Sequence, residues 1–323
     1  MGVSLGKYGK LGWQIQSAKG VEADGTAVTW VPMADSPTFK KQVNQEVFRP
    51  GDRHHEVVWT YPAYHAWGGS VPIYLVPGSV ADIVTLAQTR NSYNQARWMT
   101  VWKVQRGRVE VAMDVKVRTM EFTFATTGPI RVSLDLAGLS DGTVTRPSGY
   151  ASAIAGSSST ACYLAPEITM TYATGDDDDL AAGAAADYNI KGTVRMTIDE
   201  LCEDAAEGQR FNGSFDGYQL YNSGSPVVTG SIPRDHVSPQ LYFAYLRQAS
   251  ARGAGEWYEE TNDGYFKVDV VRGGTSIQFE CPRIRYIEYE DGMLGTTVGV
   301  QEESVNFQAL GSLDGTIPAI TLT

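Results

Sequence analysis

Four consecutive carboxylates, Asp176, Asp177, Asp178 and Asp179, form the densest group of candidate ligands in the sequence. They lie in GDDDDLAAGAAAD, residues 175–187. A calcium loop needs oxygen ligands at alternating positions around a glycine turn. Consecutive aspartates point in different directions and repel, so the stretch reads as a solvated loop. The histidines are His54, His55, His65 and His236, and the first three could approach one another across a hairpin. Zinc requires three or four ligands, and neither a cysteine pair nor HExxH accompanies them. Cys162, Cys202 and Cys281 are odd in number and widely spaced, and read as reduced, buried thiols rather than a disulfide framework. The serine run 157–159 lacks a GxSxG setting, and the chain has no GxxxxGK[ST] and no GxGxxG after a strand. Glu302-Glu303 and Glu259-Glu260 are conceivable glycosidase pairs. With 37 acidic residues, such neighbours are expected by chance. Trp59, Tyr61, Tyr64 and Trp67 could stack on sugar rings, although aromatics in strands more often fill a core. No catalytic residue, cofactor or metal site is expected.

The elements that would position such residues are strands. The 323 residues carry 34 glycines and 17 tyrosines, a turn-rich, β-leaning composition. The net charge of −11 and the absence of a Lys/Arg cluster argue against wrapping nucleic acid. An acidic surface would instead suit a protein past which DNA slides without adhering. The N-terminus has no apolar run of a secretion signal, and no stretch approaches a membrane span, so a soluble protein is expected.

RGRVEVAMDVKVRTMEFTF, residues 106–124, alternates like a strand but changes phase. Val109, Val111, Met113, Val115 and Val117 are apolar at odd positions, and Met120, Phe122 and Phe124 at even ones. RGGTSIQFECPRIRYIEYE, residues 272–290, has a similar break, and Lys116–Phe122 matches Arg283–Tyr289 in charge and apolar character. A bulge in each hairpin would explain both. A short helix precedes each hairpin. In PGSVADIVTLAQ, Ser79 is the expected N-cap, with Val80, Ile83, Leu86 and Ala87 on one face; in HVSPQLYFAYLRQ, Ser238 caps and Pro239 opens the helix. A strand follows each hairpin, at residues 130–139 and 303–310. The chain therefore reads as two tandem mainly-β domains, residues 1–146 and 162–323. They are joined by a small, polar, flexible linker at 147–161.

The order of these motifs resembles the tail tube (major tail) proteins of long-tailed bacteriophages in their duplicated form. The resemblance rests on the opening LGKYGKLGWQIQSAKGVEADGTAVTWVP, the hairpin VQRGRVEVAMDVKVRTMEFTF before PIRVSLDLAGL, and the close ESVNFQALGSLDGTIPAITLT. It covers nearly the whole chain and is weakest at residues 176–187 and 203–223.

The resemblance implies two tail-tube-like β-sandwich domains, each flanked by one α-helix. Their sheets would join those of neighbouring domains into a β-barrel around a lumen. Rings of three chains with six similar positions would stack into a hollow tube that delivers the genome to the host cell. A ring of six chains using one domain each is the alternative. The partners implied are the chain itself, a tape-measure protein, tail-tip and tail-terminator proteins, and double-stranded DNA passing without specific binding. No membrane or cofactor is involved, and the location is the virion tail, assembled in the bacterial cytoplasm. Asp114, Lys116, Glu121, Asp269, Gln278 and Arg283 are the candidates for the polar, lumen-facing side. Lys40, Lys41 and Arg49, together with Asp176 to Asp179, are the candidates for ring-to-ring contacts, with residues 172–191 taken as the counterpart of the charged hairpin at 38–59. The arm at residues 1–11 would dock on the adjacent ring. The competing readings are another virion component, such as a capsid decoration or tail-tip protein, and a glycan-binding or glycan-cleaving β-sandwich.

Overall fold

A computed structural model describes residues 9–48, 59–88, 96–105, 108–155, 162–173, 185–186, 190, 192–202, 226–235, 245, 264–291, 302–311 and 320–323. Arg49, Asp176 to Asp179, His54, His55, His236, the second expected helix and most of the N-terminal arm lie outside these residues. The chain is mainly β and forms one large antiparallel sheet that does not close on itself. Its first half contains β1 (Lys10–Ile15), β2 (Thr29–Pro32), β3 (Lys40–Phe48), β4 (Trp59–Tyr74), helix α1 (Val80–Gln88), β5 (Met99–Gln105), β6 (Arg108–Ala125) and β7 (Arg131–Asp141). Helix α2 (Tyr150–Ala155) follows. The second half contains β8 (Ile168–Ala173), β9 (Ala185–Ala186), β10 (Thr193–Asp199), β11 (Val227–Asp235), β12 (Gly264–Arg272), β13 (Thr275–Asp291), β14 (Glu302–Ala309) and β15 (Thr321–Leu322).

Strand order repeats between the halves. The first half runs β2-β1-β5-β6-β7-β4-β3 across the sheet, and the second runs β9-β8-β12-β13-β14-β11-β10. Taken in chain order, β1 through β7 therefore correspond one by one to β8 through β14. The local sequence supports the match where the topology demands it. Gly69-Ser70-Val71-Pro72 in β4 corresponds to Gly230-Ser231-Ile232-Pro233 in β11. Val71 and Ile232 are both buried. Each serine approaches a serine on the next strand, Ser70 to Ser133 at 2.8 Å and Ser231 to Ser304 at 3.4 Å.

This correspondence revises one expectation. The counterpart of the β3–β4 hairpin is β10–β11, so residues 172–191 correspond instead to the link between β1 and β3. The second half also has a split last strand. Where β7 runs on to pair Asp141 with Ala112, β14 stops near Leu310, and β15 resumes along β13 by pairing Leu322 with Phe279.

One hydrophobic cluster runs through both halves. Phe279 of β13 meets Phe122 and Phe124 of β6 edge-on, with ring centroids 4.7 and 5.4 Å away. Helix α1 buries Val80, Ile83, Leu86 and Ala87, the four positions of the expected apolar face. Ser79 does not cap it. The residue belongs to a preceding 3₁₀ turn and donates its hydroxyl to the Val76 carbonyl at 2.9 Å. Asp82, in the first turn, accepts hydrogen bonds from Trp13 Nε1 and the Thr29 hydroxyl, which tie the helix to β1 and β2.

The described residues of the expected linker, 147–155, make defined contacts. The Ser148 amide donates to the Gly25 carbonyl, and the Trp30 indole donates to the Ser148 carbonyl. Helix α2 follows with Ala153 buried. Small residues are compatible with a flexible coil, but Ala-rich YASAIA is also a good helix former once its ends are held.

Candidate assembly site

The changes of phase in the two long hairpins are bulges. Along β6 and β7 the register shifts between Val117 and Thr119, leaving Arg118 as the extra residue. Against β5 there is a second irregularity. Met99 pairs with Val115 but Val101 pairs with Ala112, so Met113–Asp114 is one residue too long. Asp114 absorbs it with φ +53°, a left-handed conformation that Asp tolerates better than most residues. Its carboxylate accepts the Gly20 amide at 2.7 Å. The consequence is packing: Val111, Val115 and Val117 before the slip and Met120, Phe122 and Phe124 after it are all buried.

β13 repeats both irregularities. The register against β12 shifts between Ile284 and Cys281, and that against β14 between Tyr286 and Glu288. A constant shift of 169 residues thus relates Val115 to Ile284, Val117 to Tyr286 and Thr119 to Glu288. The sequence match of Lys116 with Arg283 is therefore two residues out of register, because alternating charges look alike at every second step. Lys116 corresponds to Arg285 and Asp114 to Arg283.

The halves meet where β10 pairs with the far end of β6, from Thr193 opposite Ala125 to Ile198 opposite Met120. On the polar face of this seam, Thr119 donates to Asp199 at 2.6 Å and Arg195 lies 4.0 Å from Glu121. The pairing extends to the bulge itself, where the Leu201 amide donates to the Arg118 carbonyl at 2.9 Å. A cavity of about 230 Å³ opens beside the seam between Phe124, Ile168, Met170, Ile190 and Val194, and among the described residues its lining has no ionisable side chain.

Two of the six candidate lumen residues are buried. Lys116 is fully buried with its ammonium 4.2 Å from the centre of the Trp98 ring, and Asp114 is held by Gly20. Neither presents its charge on an exposed face of the chain, because the double bulge turns this stretch inward on both sides. Glu121, Asp269 and Gln278 do lie on the face opposite the core, and Asp269 stands directly opposite Gln278. Arg283 is half-buried at the β13 irregularity. The same polar face carries Ser304, Asn306 and Gln308 of β14.

Lys40 is exposed at the start of β3, and Lys41 forms an ion pair with Asp141. Of the aromatic group proposed for sugars, Trp67 is buried and donates to Asp141 at 2.9 Å. The side chains of Trp59, Tyr61, Tyr64 and His65 lie outside the described residues. Glu303, from one of the paired-carboxylate candidates, is buried against Arg234 at 3.2 Å and accepts from the Tyr289 hydroxyl at 2.8 Å. Among the described residues no group of His, Cys, Asp and Glu is placed to hold a metal ion, and no helix is long and apolar enough to cross a membrane.

Sequence reasoning missed the seam. Its signal is the Gly-Ser-Val-Pro/Gly-Ser-Ile-Pro match, which identifies β11 as a second β4 and so β10 as a second β3. Among the described residues, no strand lies on the outer edge of β3, the counterpart of the β10 edge that β6 occupies. None covers residues 285–291 of β13 on the side away from β14, of which 289–291 are the described counterpart of the β6 segment, 120–125, that β10 covers. No protein-family model matches the chain, and no curated protein matches it.

Proposed function

We propose that this protein is a structural virion component, a duplicated tail tube protein whose copies assemble into stacked rings around a lumen. The observation that carries the reading is the repeated strand order together with the strand-to-strand seam between β6 and β10. A tube built from identical positions requires one unit to offer an edge that the next accepts. A chain that already contains two such units, joined through one such contact, supplies two successive positions. Three chains would then complete the six positions that the resemblance implies.

The polar face of the sheet fits the same reading. Glu121, Asp269, Gln278, Ser304 and Asn306 would meet water in a lumen, while Phe122, Phe279 and Phe307 fill the core behind them. An acidic chain repels the DNA backbone, so the genome passes without adhering. In this role the protein needs no catalytic residue. A tape-measure protein, together with tip and terminator proteins, would set the tube's length and ends.

Electron microscopy of the purified protein tests this. Hollow tubes with three-fold end views and six similar lobes are expected. Tubes with six whole chains per ring would retain the function and reject the paired use of the two halves. Particles that stay monomeric at high concentration, both alone and with the tip and tape-measure proteins, would reject the tube.

A further inference from the structure

The seam inside the chain is a template for a joint between chains. We infer that the outer edge of β3, which no strand occupies among the described residues, pairs antiparallel with residues 288–290 of β13 in a second copy of this chain, placing Lys40 opposite Glu290 and Gln42 opposite Glu288. This rests on the self-assembly reading and specifies its partner and register.

The register comes from two independent correspondences. On the β6 side, the 169-residue shift is fixed twice by the bulges and converts Glu121, Thr119 and Arg118 into Glu290, Glu288 and Ile287. On the β10 side, Thr229 pairs with Thr197, and Thr229 corresponds through the Gly-Ser-Pro match to Gly68, which pairs with Lys40. Thr197 thus becomes Lys40, and Asp199 becomes Gln42. Since Thr197 faces Glu121 within the chain, Lys40 faces Glu290 between chains.

None of the facing side chains was used to build that register, yet both pairs are complementary. Lys40 and Glu290 are exposed and opposite in charge. At the seam Thr119 donates to Asp199; at the joint the roles exchange, with the Gln42 amide as donor and the Glu288 carboxylate as acceptor. Two exposed apolar residues lie at the same end of the joint. Val43 is 51% and Ile287 48% exposed, two of the five large hydrophobics that stand out in solvent among the described residues. A free edge with exposed apolar residues is what a strand-pairing surface looks like before its partner arrives. The backbone agrees: at the seam the Leu201 amide reaches the bulge carbonyl of Arg118, and the same step brings the Asn44 amide to the Ile287 carbonyl.

Each chain therefore offers one edge and accepts another. Such a contact is head-to-tail and generates a closed ring or a continuing filament. The joint is more polar than the seam, since Asp291 stands where Phe122 does, so it assembles more reversibly and responds to salt.

The test uses the full chain with Gln42→Cys and Glu288→Cys combined. Directly opposed residues on antiparallel strands lie close enough for a disulfide. Mild oxidation should give a ladder of covalently linked chains on a denaturing gel, absent from either single variant. Lys40→Glu and Glu290→Lys, each alone, should reduce oligomer formation about tenfold, and together restore it, since like charges in facing positions repel. A ladder with charge-swap rescue but without tubes in the microscope would retain this joint and reject the tube. Tubes without a ladder, or single charge reversals that assemble like the parent, would overturn the joint and leave the tube reading standing. Absence of both oligomer and ladder at any concentration would overturn both.

Discussion

The hydroxyls of Ser231 and Ser304 lie 3.4 Å apart on neighbouring strands, in the position that Ser70 and Ser133 occupy at 2.8 Å in the other half of the chain. The glycines before them are not interchangeable. A Cβ on Gly230 would fall 2.3 Å from the Phe307 ring, whose tip sits over that glycine. Gly230→Ala should therefore destabilise by about 1–3 kcal/mol, as overpacking does. Phe307→Leu in the same background should recover part of the loss. Urea midpoints of the two variants decide this; an unchanged midpoint for Gly230→Ala would show that the ring can move aside.

Asp114 offers a second test, because it holds the φ of +53° that lets β6 change phase. Asn shares the tolerance for left-handed backbone and keeps an acceptor for the Gly20 amide, so Asp114→Asn should stay close to the parent. Asp114→Val forces a β-branched residue into that conformation and leaves the amide unpartnered. It should cost about 2–4 kcal/mol from the two effects together. Equal stability of the Asn and Val variants would mean that the strand repacks without its bulge.

These positions show what the sequence made legible. The phase change was readable from Val117 and Met120 alone, because only an extra residue keeps both inward. The four buried residues of α1 were readable from their spacing. Lys116 was not: a charged residue in an alternating strand looks solvent-facing, and nothing local announces that two bulges in five residues bury it against Trp98. The seam was hidden for a different reason. It depends on recognising β10, a seven-residue strand of ordinary composition, as the equivalent of β3. Only the distant Gly-Ser-Pro match supplies that link.

The buried pair of Arg234 and Glu303 supports the second half much as an apolar core would, provided that both partners remain. Arg234 also lies over the Tyr172 ring at 5.4 Å and bonds its hydroxyl. Glu303→Gln removes one charge and strands the other in the interior. A loss of about 3–5 kcal/mol is expected. Replacing both, as Arg234→Met with Glu303→Leu, should cost far less than the single change. A thermal-denaturation double-mutant cycle measures the difference, and additive losses would show that the two side chains act independently.

Alkaline pH should unfold the second half by a route that the positions of Cys281, Tyr286 and Tyr265 dictate. Burial, aided by the neighbouring Glu280 charge, pushes the Cys281 thiol from 9.0 up to about 12. Burial likewise raises Tyr286, with Tyr172 adding to it and Arg234 opposing, and raises Tyr265, with Glu280 adding to it. Each group is held neutral in the folded chain while the unfolded chain releases its proton earlier. Their contribution is therefore complete below about pH 9, where an ordinary thiol begins to ionise, and is lost as pH climbs through the raised values. Each group fully ionised only in the unfolded state contributes a slope of about 1.4 kcal/mol per pH unit. Burial also raises Cys162 and Tyr163, and Lys10, lowered by burial, is one group working in the opposite sense against these five. Guanidinium midpoints should thus fall steadily between pH 9 and pH 12, and Cys281→Ala should flatten the first part of that fall. A thiol reagent should reach Cys281 only on unfolding. Rapid labelling of Cys281 in the folded protein at pH 8, or midpoints that hold level to pH 12, would contradict the burial of Cys281, Tyr286 and Tyr265.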